Sequence, residues 1–185
     1  MYYIRHFCST TLLMITFFIT NCYGQDPKGV FEEENYVEEL RGKIDNDNTI
    51  LFRNKSYPDY TIRKIYSDSL FNESGFMVSK FFFYKELLHG PYETYFDGKL
   101  FSNGFYKMDK KHGEFKRYDT SGKITQRAYY KEGKKTGTWN FYNSAKILYK
   151  KVYYNDGKFI KKDLFNTNTG KFERTEYKED PLFDN

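Results

Sequence analysis

Three segments of the chain align from a glycine: Gly90-Pro91-Tyr92-Glu93-Thr94-Tyr95, Gly113-Glu114-Phe115-Lys116-Arg117-Tyr118 and Gly137-Thr138-Trp139-Asn140-Phe141-Tyr142. The glycines are 23 and 24 residues apart, and each is followed at +2 by an aromatic and at +5 by a tyrosine. Turn residues come next, at Asp97-Gly98-Lys99, Ser121-Gly122-Lys123 and Ser144-Ala145-Lys146. A second run then opens at Leu100, Ile124 or Leu148 and ends at Phe105-Tyr106, Tyr129-Tyr130 or Tyr153-Tyr154. Glu132-Gly133-Lys134 and Asp156-Gly157-Lys158 close the later units, and Met108-Asp109-Lys110 stands there in the first. A fixed period of this length marks one supersecondary unit that cannot bury its apolar face alone and must stack on its neighbours. Runs rich in Tyr, Phe, Val and Ile between turn residues make that unit a β-hairpin. The expected fold is therefore all-β: an elongated, single-layer antiparallel sheet of consecutive β-hairpins.

Strict alternation along the second run places Leu100/Ile124/Leu148, Gly104/Ala128/Val152 and Tyr106/Tyr130/Tyr154 on one face. Phe101/Thr125/Tyr149, Asn103/Arg127/Lys151 and Phe105/Tyr129/Tyr153 fall on the other. Both faces carry aromatics and one carries charge, which suits an open sheet wetted on both sides better than a closed barrel.

On these residues the chain resembles the MORN repeat family. It is most similar to the bacterial variant G-x-W/F-x-x-Y…G-K…Y-x-x-G-K of YwqK-like proteins. The resemblance covers residues 76–160. Phe76–Lys85 matches the second half of an earlier unit, with Phe83-Tyr84 in the place of Phe105-Tyr106. Phe159–Tyr177 matches a decayed unit, in which Thr169-Gly170-Lys171 fits the turn and Asp163 stands for the glycine. The resemblance implies a string of hairpins used for binding or scaffolding. An antitoxin-like inhibitor of a cognate effector is the alternative that YwqK-like proteins suggest.

Residues 1–24 differ in kind from the rest of the chain. Arg5 and His6 precede an uncharged run, Thr10–Thr20, and Cys22-Tyr23-Gly24 leads into polar sequence. A basic start, an apolar stretch of about 10 residues and a small residue at the cut describe a secretory signal peptide, removed after Gly24. The alternative is a lipoprotein anchored at Cys22, for which Asn21 is a poor preceding residue. Either way the product is exported, periplasmic or secreted. Both cysteines lie in this leader, so no disulfide or Cys nucleophile is expected beyond it.

After the leader, 33 aromatics face only 20 Ile, Leu and Val. So few aliphatics cannot fill a thick two-layer core, whereas rings laid along a sheet bury about 150–250 Å² each. Residues 26–47 hold eight acidic and three basic side chains. Within them Glu32–Leu40 reads as a short helix, with Tyr36, Val37, Leu40 and Ile44 on one face, or as a solvated lead-in. Thr49–Arg53, Tyr60–Tyr66 and Phe76–Tyr84 read as strands joining the same sheet, Asn54–Asp59 and Asn72–Gly75 as turns. Residues 25–75 are thus an acidic lead-in with capping strands, 76–177 the repeats and 178–185 a disordered tail.

No G-x-S-x-G, H-E-x-x-H or phosphate-loop motif is present, and no cofactor or metal is expected. His89 and His112 both precede the repeat glycine, so their spacing is the period rather than a ligand pair. The candidate partner-binding face is lined by Tyr92, Tyr95, Phe115, Tyr118, Trp139 and Tyr142, which serve equally well as core. Residues 107–162 carry 16 basic and 5 acidic side chains, net +11. Lys110, Lys111, Lys134 and Lys135 form the candidate basic surface. A protein is the expected partner, with an anionic lipid or a glycan as alternatives. Export argues against nucleic acid.

Overall fold

The computed structural model of the chain describes residues 26–44, 47–66 and 77–177. The expected signal peptide, Cys22, the turn at Asn72–Gly75 and the tail 178–185 lie outside these residues. The chain divides into two units between Val30 and Phe31. The described part of the first is a turn in which the Val30 amide donates to the Pro27 carbonyl at 3.1 Å.

The second unit begins with a 3-10 turn over Glu33–Asn35 and continues entirely as strands. These are β1 Tyr36–Ile44, β2 Asp47–Asn54, β3 Tyr60–Tyr66, β4 Met77–Tyr84, β5 Leu87–Phe96, β6 Lys99–Lys107 and β7 Lys110–Lys111. The later strands are β8 Gly113–Tyr118, β9 Ile124–Lys131, β10 Lys134–Tyr142, β11 Leu148–Asn155, β12 Lys158–Phe165 and β13 Phe172–Tyr177. All belong to one antiparallel 13-stranded sheet in sequence order, with the short β7 beside β6. Among the described residues β1 and β13 are its edges, and the sheet is not closed into a barrel. The expected all-β array of consecutive hairpins is the observed fold, and the early strands join the same sheet.

Local chemistry explains the hairpins. Asp97-Gly98, Glu132-Gly133 and Asp156-Gly157 put both central turn residues at positive φ. That is the two-residue turn whose twist matches the flanking strands. Lys85-Glu86 and Met108-Asp109 adopt the same conformation without glycine. A ladder of backbone bonds ties successive turns together. Asp109 N–H donates to Leu88 O at 2.8 Å, Gly133 N–H to Lys111 O at 2.9 Å and Gly157 N–H to Lys135 O at 2.8 Å. At the other end of the hairpins the loops are held by a side-chain oxygen. Asp119 accepts from the Ser121 and Lys123 amides, Asn143 from Ala145 and Ile147, and Asn166 from Asn168 and Thr169.

Several sequence expectations are corrected. The expected helix is reduced to the 3-10 turn at Glu33–Asn35, and Tyr36–Ile44 is an edge strand paired with β2. Its supposed apolar stripe is divided, since Tyr36 is buried while Val37 and Leu40 are half exposed. Pairing with β2 covers that strand's edge, a gain that local helix propensity does not match. Second, the hairpins from β5 to β13 each carry one extra residue after the loop, at Phe101, Thr125, Tyr149 and Glu173. Each bulge reverses the alternation beyond it. Leu100, Ile124 and Leu148 therefore pair with Tyr95, Tyr118 and Tyr142, not on the face of Gly104, Ala128 and Val152. Third, aligning the turns puts Phe82-Phe83, rather than Phe83-Tyr84, in the place of Phe105-Tyr106. Fourth, Asp163 pairs with Lys151 as Asn140 pairs with Arg127, so it stands three residues past the glycine's place. Finally, Lys146 at φ +63, not Ala145, takes the left-handed position of Gly122 at φ +77.

The sheet buries a different core on each face. On one, Phe115, Ala128, Trp139 and Val152 are buried among Tyr92, Tyr106, Tyr130, Tyr154 and Phe159. On the other, toward the start of the array, Ile50, Tyr60, Ile62 and Phe82 are buried. Phe31 crosses this second core, with ring centroids 5.5 Å from Phe105 and 5.7 Å from Phe82. It rests on Gly90, where a Cβ would lie 2.5 Å from Phe31 Cε1. Glu33 bridges Lys64 at 2.6 Å and Lys80 at 2.7 Å beside it. Burial raises the Glu33 pKa, but the hydrogen bonds from the two lysines outweigh it and hold the group below the usual carboxylate value.

Candidate functional site

The six candidate partner-binding residues do not share one face. Tyr92, Phe115 and Trp139 stand opposite Gly104, Ala128 and Val152 across their hairpins. Small partners leave room for the rings. The rings interleave with the repeat tyrosines into one continuous ladder, with centroids 5.4 Å for Tyr92–Tyr106, 5.8 Å for Tyr106–Phe115, 5.0 Å for Phe115–Tyr130, 5.1 Å for Tyr130–Trp139 and 4.9 Å for Trp139–Tyr154. Offset and edge-on rings at these distances attract beyond their area burial. Trp139 also donates from Nε1 to the Tyr129 carbonyl at 3.1 Å. Phe115 and Trp139 are 7% and 6% exposed, which makes them core.

Tyr95, Tyr118 and Tyr142 lie on the opposite face, where Tyr95 and Tyr118 join polar contacts. The Tyr95 hydroxyl donates to Glu93 at 2.6 Å. Burial first, and then that carboxylate, push the Tyr95 pKa well above its ordinary value. Tyr118 donates to Asn103 Oδ1 at 3.4 Å. Further along, Glu114 pairs with Lys116 at 2.9 Å and Arg127 at 3.1 Å and accepts from Tyr129 at 3.1 Å. Asp163 accepts from Thr175 and Tyr153, each at 2.7 Å. Those two bonds hold the Asp163 carboxyl below its usual range. The reciprocal bond, with burial second, raises Tyr153 to about 12.

The four candidate lysines also divide. Lys134 is paired with Asp156 at 2.8 Å, and its stem lies over Gly157 as that of Lys110 lies over Gly133. Lys111 and Lys135 instead turn onto the ladder. The Lys111 ammonium is 5.2 Å and 5.1 Å from the Phe115 and Tyr130 ring centroids. Lys135 is 5.0 Å from both Trp139 and Tyr154. These are cation–π distances. Between them a cleft of about 200 Å³ opens over the ladder, with Arg117 and Gln126 on its wall. Arg117 escaped the sequence reading, although it follows Phe115 by two positions and so shares its face.

His89 is buried and stacks at 6.1 Å on Phe31, with Nδ1 accepting from the Met108 amide at 3.3 Å. Among the described residues no group of His, Cys, Asp and Glu could hold a metal ion. No helix among them is long and apolar enough to cross a membrane.

A second surface feature lies at the loop end of the first two repeat hairpins. Phe96 and Phe101 are 66% and 46% exposed. With Leu100 and Tyr118 they line an apolar cleft of about 420 Å³. Phe101 is the extra residue of the β5–β6 bulge, which brings Leu100 opposite Tyr95.

No protein-family model matches the chain, and no curated protein matches it. Among solved structures it is similar to the pneumococcal O-GlcNAc transferase GtfA in complex with UDP and GlcNAc, at 11% identity and TM-score 0.38, over 66% of this chain and 21% of that one. It is also similar to S. aureus TarM in complex with Fondaparinux, α-GlcNAc-glycerol and UDP, at 15% identity and TM-score 0.31, over 84% of this chain and 24% of that one. A further TarM structure matches at 15% identity and TM-score 0.24, over 94% and 23%. The chain thus spans under a quarter of the length of each of these proteins, and no enzyme family is established for it.

Proposed function

We propose that this chain is an exported, non-catalytic repeat protein of the MORN type that serves as a protein-binding scaffold. The observation that carries the reading is the apolar cleft at the loop end of the hairpins. Phe96 and Phe101 are 66% and 46% exposed there, beside Leu100 and Tyr118, while the ladder rings are consumed in holding the array together. Exposed aromatics gathered in one concavity are the usual anchors of protein interfaces, because they bury much area at small entropic cost. The occupant is an apolar side chain of a partner protein. Export rests on the leader sequence, 1–24.

The test compares the mature chain with a Phe96→Ser/Phe101→Ser variant in photo-crosslinking to envelope fractions. A species captured by the first and lost by the second, at unchanged melting temperature, supports the scaffold. Equal capture by both overturns the assignment of the cleft. Intact mass after cell fractionation tests the compartment: a product starting at Gln25, or lipidated at Cys22, supports export, and an uncleaved chain starting at Met1 overturns it.

A further inference from the structure

The cleft over the ring ladder is lined by four cations, of which Lys116 is paired with Glu114 at 2.9 Å while Lys111, Arg117 and Lys135 have no carboxylate partner among the described residues. Lys111 comes from β7, Arg117 from β8 and Lys135 from β10, so consecutive hairpins build the site jointly. Tyr92, Tyr130 and Gln126 add polar groups at its rim, and Phe115 and Trp139 form an apolar floor. Among the described residues no ion pair joins Lys111, Arg117 or Lys135 to a carboxylate, although nearby Lys116 and Lys134 each have one. Burial and the charge of Arg117 hold the Lys111 pKa below its ordinary value. Like charges facing one another above a ring floor repel, and an anion between them relieves that cost.

We propose that this cleft binds a tetrahedral oxyanion of the phosphate type, on a soluble molecule. Its size favours one such group over an extended surface. A flat anionic surface would instead meet the turn lysines, of which Lys134 is already neutralised by Asp156. A guanidinium and two ammoniums provide the charge-assisted donors that phosphate oxygens accept. The two clefts touch at one point, where the Arg117 guanidinium lies 5.9 Å from the Phe101 ring centroid, while Lys111 and Lys135 line this cleft and not the other.

Trp139 is the single tryptophan of the chain and lies in the floor, so its fluorescence reports on the site. The mature protein is titrated with inorganic phosphate and, separately, with glucose 6-phosphate, with sodium chloride holding ionic strength constant. The expected result is a saturable change, weakened about tenfold or more by Arg117→Gln and by Lys111→Gln. A tighter curve for inorganic phosphate marks the free anion as ligand, and a tighter one for the sugar phosphate marks a carried group. Lys134→Gln, on the turn, leaves the curve unchanged. A non-saturating response, or superimposable curves for the wild type and both cleft variants, overturns the proposal. Circular dichroism of each variant checks that the sheet is retained.

Discussion

Gly104→Ala tests whether the ring ladder is close-packed. A Cβ at Gly104 would lie 2.5 Å from Cδ1 and 2.7 Å from Cγ of Phe115. Ordinary contact begins near 3.4 Å, so the ring must retreat by nearly an ångström. It has little room, with Tyr92, Tyr106 and Tyr130 at centroid distances of 5.5, 5.8 and 5.0 Å and the Lys111 ammonium 5.2 Å away. Overpacking of this kind costs about 1–3 kcal/mol. Removing a strand glycine returns about 0.5–1 kcal/mol through the unfolded chain. Taking the middle of each range, the net loss is about 1 kcal/mol, or a melting temperature lower by roughly 2–4 °C for a chain of this length. Urea unfolding followed by circular dichroism measures it, with Phe115→Leu as the second arm of a double-mutant cycle. Trimming the ring should recover most of the loss. An unchanged or raised stability, or the same cost in the Phe115→Leu background, would refute close packing at this seat. Ala128 and Val152 hold the equivalent places in later units, so the penalty belongs to this ring and this position.

Trp139→Ala should lower stability by about 3–5 kcal/mol, because the ring is buried; a melting curve that does not move would return Trp139 to the partner surface. Lys146→Gly should stabilise by a few tenths to about 1 kcal/mol, since Lys146 sits at φ +63 where a Cβ is strained, less the added freedom of the unfolded glycine; a fall in the urea midpoint would count against it. Deleting Gly113–Thr136 joins His112 to Gly137 in register and should leave a cooperatively folding sheet with a smaller m-value, whereas an unfolded product argues against nearest-neighbour stacking. Asp163 has its pKa lowered in the folded chain by Thr175 and Tyr153. Its contribution is therefore complete above the ordinary carboxylate pKa and lost as pH falls through the folded value. Asp163→Asn should flatten the pH dependence of stability between about pH 5 and pH 2, and parallel profiles for wild type and variant would exclude that role.

The period from Gly90 to Tyr154 was enough to establish an open array of hairpins, because turn residues and aromatic runs act locally and recur at fixed spacing. The same pattern placed Gly104, Ala128 and Val152 on one face with Tyr106, Tyr130 and Tyr154, where the ring ladder lies. What it could not place was the face of Leu100, Ile124 and Leu148. A bulge at Phe101, Thr125 and Tyr149 adds one residue without any compositional sign, and every side chain beyond it changes sides. The six candidate residues divide for a reason already present in the spacing: Tyr95, Tyr118 and Tyr142 follow Tyr92, Phe115 and Trp139 by three positions on the same strand, so alternation alone sets them on opposite faces. The lead-in shows the same limit from another direction. Tyr36, Val37, Leu40 and Ile44 keep a helical spacing, yet the open edge of β2 takes that segment as a strand, because a long-range ladder outweighs local preference. Arg117, between two lysines of neighbouring hairpins, becomes part of a site only once stacking sets those strands side by side. Local chemistry determined the hairpins; which side chains meet was decided by register and stacking, which depend on partners far away in sequence.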